Sequence, residues 1–545
     1  MTKAIPQALA ALTLYAVLAA LIMWHGASLT HQLSGAGSDP YDSTWFLAWW
    51  PYAATHHLDP FFTHLIWYPS GVSLLWITSV PLLSLLGWPV TALFGSVVTY
   101  NLLIITAPVI SAWCAYFLCR HVTRDFWASL TGGFLFGFST YETSQSIGAL
   151  NLTIIFCVPL LLLLVLKRLD GELSRPAAVA LAALLLLAQF LISIEVFATI
   201  FLFGGLAWVL ALFYLPPSRP ALRRLLVDGL CAAPFVVLPL VPLLIPMARH
   251  SGLINHPAAW PYIFVGDPVS LAVPSPRNLF GQPFHGLGTK VGSDSQENCG
   301  YLGLPLLAIL LLFARASWRQ PCGRYACVML GLLVLCSFGP FLWVAGHFTG
   351  IALPWLAVMR LPLLDSALPA RFALFTALAA SLIAASWLAV PGRRMGRLVL
   401  GLLACIALLP QPHPWRVFEQ PAFFAPGRVA QVLGPNPRLL LLPFAINGPS
   451  SMWQMQSGFA FTMVGGYLGF PPKPAQAYKA VMELFGDKMG LSLKAADFAA
   501  YARAAGAQYV VAGPGADPRE LATIATLGWP ARQVDDVTIL TVPAP

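Results

Sequence analysis

The residues best suited to chemistry begin near the start of the chain, in Gly37-Ser38-Asp39-Pro40-Tyr41-Asp42-Ser43. Two carboxylates three residues apart can share one side of a helical turn. One that faces a cavity can act as a general base, provided it reaches the hydroxyl or amine it deprotonates. The plain alternative is a solvated loop, because Asp-Pro favours turns. Trp45, Trp49 and Trp50 follow, then His56-His57-Leu58-Asp59-Pro60-Phe61. Paired histidines beside an acid are potential ligands for a divalent ion, but no spacing here specifies a metal. No cofactor is indicated beyond that possible divalent ion.

Two more acids stand at intervals along the chain. Glu142 lies in the polar, otherwise uncharged stretch Phe138-Ser139-Thr140-Tyr141-Glu142-Thr143-Ser144-Gln145-Ser146, and Glu195 follows Ser193-Ile194. An ionisable group at membrane depth is costly and is therefore a functional candidate; an interfacial acid facing water is the alternative. A segment at about 248–300 holds Arg249, Asp267, Arg277, Lys290, Asp294 and Glu297, and Arg360 and Arg371 come later. Arginine offers phosphate a planar fork of donors. Arg360, Arg371 and Arg249 are thus candidate phosphate ligands, with a salt bridge such as Arg371 to Asp365 as the competing use.

The elements that must position these groups are dictated by composition. Apolar residues make up 58% of the 545 positions and charged residues 9%, with mean hydropathy +0.74. Soluble domains carry about 25% charge, and several apolar runs approach the roughly 20 residues that cross a bilayer. A soluble enzyme is excluded. Nucleic-acid binding is excluded too, because the net charge of +9 is spread in short clusters between apolar runs, as topology signals are. The nine cysteines include no Cys-x-x-Cys pair, which disfavours metal and disulfide frameworks.

With the N-terminus cytoplasmic and residues 4–24 as an uncleaved first helix, segment 25–75 is an outer loop free of Lys and Arg. Helices near 97–118, 127–141, 148–167, 177–194, 196–215, 225–247, 301–314, 325–345, 370–390 and 398–410 then place fifteen of the thirty basic residues in cytoplasmic loops. Only five fall in the remaining outer loops. Residues 72–95 are apolar but interrupted by Pro81, Gly87 and Pro89, and read as a re-entrant or interfacial element packed against protein. After Pro410 the composition changes. Short β-like runs alternating with helical periodicity predict a small α/β domain over 411–545, extracytoplasmic by parity. The expected fold is a polytopic α-helical membrane domain over 1–410, with about eleven transmembrane helices, joined to that domain.

The order of parts resembles the bacterial GT-C glycosyltransferases, a group that includes the lipid A aminoarabinose transferase and protein mannosyltransferases. Local matches are Ser38-Asp39-Pro40-Tyr41-Asp42-Ser43 with Asp59-Pro60-Phe61, Tyr68-Pro69-Ser70-Gly71 and Glu297-Asn298-Cys299-Gly300-Tyr301-Leu302-Gly303. Others are Pro369-Ala370-Arg371-Phe372, Leu441-Leu442-Pro443-Phe444 and Gly465-Gly466-Tyr467. The resemblance implies transfer of a sugar from a polyprenyl-phosphate donor to a lipid, glycan or protein acceptor at the outer face of a bacterial inner membrane. It implies a catalytic role for Asp39 or Asp42, with Glu142 as second acid. Glu297, His56, His57, Trp45 and Trp49 become candidates for the substrate cavity; the tryptophans would stack on a sugar or anchor the loop at the interface. The family's metal-associated acid pair has one intervening residue and this chain has two. A non-catalytic protein of the same fold in envelope polysaccharide assembly or export is the alternative; a transporter fits less well, for want of an inverted repeat.

Overall fold

The computed structural model describes residues 4–77, 79–250, 259–291, 296–360, 364, 367–392, 394–486 and 493–544. Lys3, Asp294, Asp365 and Arg393 lie outside the described residues. The chain is a multi-pass, mostly helical membrane protein. Among the described residues seven helices are long and apolar enough to cross a bilayer: Ile5–Trp24, Ser96–Thr123, Leu150–Leu169, Arg175–Ile192, Ile194–Tyr214, Pro216–Arg249 and Pro369–Leu388. Pro81–Phe94, Leu304–Ser317 and Pro321–Ser337 are shorter apolar helices, and Phe126–Gly137 and Arg394–Ala407 are also helical. The expected helix at 325–345 stops at Ser337; a hairpin of Phe341–Val344 with His347–Ala352 follows. Gly339, at φ 77°, and Pro340 end the helical run there.

Contacts divide the chain into two compact units. The first comprises Met1–Ala27, Leu102–Leu240 and Pro257–Pro414. Its central helix is Ala373–Leu388, packed against Phe126–Gly137, Leu304–Ser317 and Pro321–Ser337. The Pro369–Leu388 span is 72% buried in protein, against 22% for Ile194–Tyr214, which leaves most of the latter's apolar surface for lipid. Small residues bring helices close: a Cβ at Gly137 would lie 2.6 Å from Ala112 Cα. Aromatic contacts close the core around Phe372, whose ring centroid lies 4.7 Å from Trp355 and 5.0 Å from Phe203. Basic residues expected on the cytoplasmic side are tied by acids, Arg168 and Arg175 both meeting Asp228 at 2.8 and 2.9 Å. Cys114, Cys119, Cys157, Cys231, Cys322, Cys327, Cys336 and Cys405 are free.

The second unit joins Ser28–Asn101 and Val241–His256 to Trp415–Pro545. Its five-stranded sheet runs in the order Ala531–Val534, Val537–Thr541, Tyr509–Ala512, Arg438–Leu442, Thr462–Met463. Arg438–Leu442 pairs in parallel with both its neighbours, Leu440 opposite Val510 and Leu439 opposite Met463. The run Leu439–Leu442 is buried throughout, as a strand covered on both faces must be. Helices Ser450–Gln456 and Ala495–Ala504 occupy the connections between the parallel strands. Early residues are built into the same unit. Gln32–Ser34 pairs antiparallel with Trp415–Val417, Leu33 opposite Arg416, and helix Asp39–Thr55 packs on Ser450–Gln456 and Pro81–Phe94. The fourteen residues of Pro81–Phe94 span about 21 Å, short of the ~30 Å hydrocarbon thickness.

Candidate functional site

In the second unit, Asp39 and Asp42 occupy the first turn of helix Asp39–Thr55, with Ser38 at the N-cap and Pro40 just inside. Proline suits this position because its missing N–H would have no intrahelical partner. The Ser38 hydroxyl donates to the Ile446 carbonyl, which fixes the entry to the helix. Further along, the Trp45 indole donates to Gln454 Oε1 at 2.8 Å, while Gln454 Nε2 donates to the carbonyls of Leu65 and Phe461. The acids are therefore held on a helix bolted to the C-terminal segment.

Their environments differ. Asp42 is buried, and Ser451 Oγ donates to its Oδ1 at 3.3 Å. Burial pushes the Asp42 carboxyl well above the usual carboxylate range, and the neighbouring Asp39 charge pushes the same way, against the Ser451 hydrogen bond. Asp39 is only half-buried and accepts a 3.0 Å hydrogen bond from the Tyr467 hydroxyl. Burial, then Asp39 and Asp42, keep the Tyr467 phenol well above its ordinary value, so it remains a donor. The pair thus comprises one acid inclined to keep its proton and one more open carboxylate.

Between them, the Tyr41 ring carries the Arg416 guanidinium 4.2 Å from its centroid. Arg416 Nε and Nη2 are buried and have no hydrogen-bond partner among the described residues. The buried Tyr100 hydroxyl is likewise unpartnered.

The tryptophans expected at a sugar or a membrane interface are core residues instead. Trp45 and Trp49 are buried and stack on one another at 5.1 Å, and the Trp49 indole donates to the Pro60 carbonyl. The reason is local: the Asp39–Thr55 helix is covered by both Ser450–Gln456 and Pro81–Phe94. His56 and His57 are exposed, with the His56 ring stacked on Tyr52 at 4.0 Å.

In the first unit, three of the singled-out residues meet. Arg371 Nε donates to Glu297 Oε1 at 2.9 Å and Nη2 to the same carboxylate at 2.5 Å, while Nη1 donates to Glu195 at 2.6 Å. Arg371 therefore gives its fork to two carboxylates, Glu195 and Glu297, the salt-bridge use weighed against phosphate binding; Asp365 lies outside the described residues. The Glu297–Asn298 turn is held by Asn298 Nδ2 donating to the Val291 carbonyl at 2.7 Å. Arg249 and Arg360 are exposed.

Glu142 sits in the short helix Thr140–Gln145, capped by Ser139. Its carboxyl is 1% exposed and neither oxygen has a hydrogen-bond partner among the described residues. Burial pushes it well above the usual range. A neutral acid in such a place can donate a hydrogen bond to a ligand oxygen.

Asp39 and Asp42 are joined by no third His, Cys, Asp or Glu ligand atom among the described residues. Among the described residues the only three-residue group with suitable spacing is His121, Asp170 and Glu172. There His121 Nε2 lies 2.9 Å from Asp170, and Arg124 and Lys167 already neutralise Glu172 at 3.4 and 3.5 Å. Two resident cations make that group an ion-pair network.

Sequence reading singled out the acids but not the residues that differentiate them. Gly465-Gly466-Tyr467 was visible as a local match without a role; Ser451 and Arg416 carried no signal, because nothing local links them to residues 39–42.

No family model matches the chain, and no curated protein matches it by sequence. Solved structures do match. The arabinofuranosyltransferase AftD from Mycobacteria superposes with TM-score 0.63 at 14% identity, over 98% of this chain and 41% of the AftD chain. This chain thus spans about two fifths of that protein's length. An oligosaccharyltransferase from Archaeoglobus fulgidus, in complex with Zn and sulfate, superposes with TM-score 0.50 at 14% identity, over 92% of this chain and 68% of that one. ArnT from Cupriavidus metallidurans, bound to undecaprenyl phosphate, gives TM-score 0.49 at 12% identity, over 98% of both chains. The chain has the fold of the GT-C membrane glycosyltransferases.

Proposed function

We propose that this protein transfers a sugar from a polyprenyl-phosphate carrier to a lipid, glycan or protein acceptor at the outer face of a bacterial cytoplasmic membrane, with Asp39 as the base. The reading places the N-terminus in the cytoplasm and the C-terminal domain outside. The observation that carries it is the unequal acid pair within a GT-C fold: Asp42 buried and inclined to stay protonated, Asp39 more open and held by the Tyr467 hydroxyl. Paired titratable groups in contrasting environments are how acid and base roles are assigned.

In the transfer, the acceptor hydroxyl or amine gives its proton to Asp39 as its heteroatom bonds to the anomeric carbon. The bond from that carbon to the phosphate oxygen breaks, and the electron pair leaves with the polyprenyl phosphate, which needs little acid assistance. Asp42, kept neutral, adds no second charge beside the base. Glu142, within the other unit, has a neutral carboxyl able to donate a hydrogen bond to a ligand oxygen.

The test is to incubate purified protein in lipid with a panel of radiolabelled polyprenyl-phosphate sugars and cell-envelope extract, comparing wild type with Asp39→Asn, Asp42→Asn and Glu142→Gln. Consumption of one donor, lost in a folded Asp39→Asn variant, supports the reading. If no donor is consumed, a non-catalytic role in envelope assembly replaces it.

A further inference from the structure

The unpartnered donors of Arg416 are not an arbitrary pair. Nε and Nη2 form one edge of the guanidinium, the edge that presents two parallel N–H groups to a planar or tetrahedral oxoanion. Elsewhere in this chain the same edge is occupied. Arg371 gives Nε and Nη2 to Glu297, and Arg428 gives them to Asp535 at 2.9 and 3.0 Å. In Arg416 both atoms are shielded from solvent and neither meets a protein acceptor among the described residues. Leaving charged donors buried and unsatisfied is unfavourable, so the edge calls for an anion.

The surroundings narrow the kind of anion. The guanidinium face rests on Tyr41, whose two flanking acids Asp39 and Asp42 lie on the same helical turn. Strand Trp415–Val417 holds the Arg416 backbone through its pairing with Gln32–Ser34, so the cation is placed by two chain segments and not by a loose loop. The buried Tyr100 hydroxyl of the same unit, likewise unpartnered among the described residues, adds a donor of the right kind.

We propose that Arg416, backed by Tyr41 and aided by the Tyr100 hydroxyl, binds a phosphate group, that of the polyprenyl-phosphate donor, through its Nε–Nη2 edge. This rests on the glycosyl-transfer reading for the identity of the lipid, but the phosphate site itself does not require turnover. It also replaces Arg371, whose fork is spent on carboxylates, as the cation that takes the donor phosphate. Held there, the phosphate keeps its charge compensated as the anomeric bond breaks, beside the turn that carries Asp39.

The full chain in phosphatidylcholine nanodiscs is titrated with undecaprenyl phosphate, with undecaprenol lacking the phosphate, and with inorganic phosphate as competitor. Wild type is expected to bind undecaprenyl phosphate in preference to undecaprenol. Arg416→Gln is expected to weaken that binding about ten- to hundredfold while leaving undecaprenol unchanged. Arg416→Lys keeps the charge but not the fork and is expected to fall between. Competition by millimolar inorganic phosphate, lost with Arg416→Gln, would assign the site to free phosphate as well; absence of competition assigns it to the lipid alone. A folded Arg416→Gln protein that binds undecaprenyl phosphate like wild type overturns the site. If that variant does not fold, wild-type affinity in Arg416→Lys overturns it instead. Binding without turnover would leave this site standing and remove the transferase reading; turnover by Arg416→Gln with unchanged donor KM would do the reverse.

Discussion

The Tyr467 hydroxyl donates to Asp39 Oδ1 at 3.0 Å, linking residues 428 positions apart within one compact unit. A hydrogen bond to a carboxylate fixes its orientation. Tyr467→Phe removes the donor and keeps the ring. Donor consumption is expected to fall several-fold from misorientation of Asp39, with the fold unchanged by circular dichroism. Unchanged turnover would show that Tyr467 only packs.

Asp39 and Asp42 are expected to respond unequally to the same change. Asp39→Asn removes the base and should lower donor consumption by about 10²–10⁴-fold. Asp42→Asn mimics the neutral form that burial already favours, so most activity is retained. Its stability effect has a definite sign. Asp42 in the folded chain titrates above its unfolded value, so the wild type loses stability as pH rises past about 4. Asp42→Asn should therefore melt higher than wild type at pH 7 and close to it at the acid end. Equal loss of activity in both variants would contradict the division of roles.

Arg371 compensates two carboxylates, with Glu297 side chain 5% exposed and Glu195 26% exposed. Removing one partner of such a cluster strands buried charge, at about 3–5 kcal/mol. Arg371→Met is expected to lower the melting temperature of the detergent-solubilised protein sharply. Pairing Arg371→Met with Glu297→Gln should recover part of it, because the stranded charge is then smaller. Thermal unfolding followed by circular dichroism reads both, and an additive loss would refute the coupling.

Glu520, 2% exposed on the helix Pro518–Ala525, is pushed up to about 7 by burial and by Asp517. Its unfolded value is near 4.3. Folding then favours the protonated form, so stability is fullest below about pH 4.3 and declines as pH rises through 7. Glu520→Gln should flatten this decline. Melting curves between pH 4.5 and 8 that run parallel for the two proteins would show that Glu520 does not titrate in this window.

The membrane helices were legible because the bilayer imposes a rule that local sequence obeys: about twenty apolar residues without charge. Every expected helix from 97–118 to 398–410 has a helical counterpart, and six of these ten, with the first helix, are long and apolar enough to cross a bilayer among the described residues. The α/β character of the C-terminal segment was legible for a similar reason, since Arg438–Leu442, Tyr509–Ala512 and Val537–Thr541 are compact β-type runs. Asp39, Asp42 and Glu142 could be singled out because acids are rare in so apolar a chain. What they touch was not legible. Ser451, Tyr467 and Arg416 reach the 39–42 turn only because a strand pairing and a helix packing join Ser28–Asn101 to Trp415–Pro545. Likewise Arg371 read as either a phosphate ligand or a salt-bridge partner, and only folding brought Glu195 and Glu297 to it. Hydropathy acts along the chain and marks which helices are long and apolar enough to cross a membrane. Which acid keeps its proton, and which arginine keeps its fork unpaired, depends on burial and partners contributed by distant segments, and only the tertiary structure decides that.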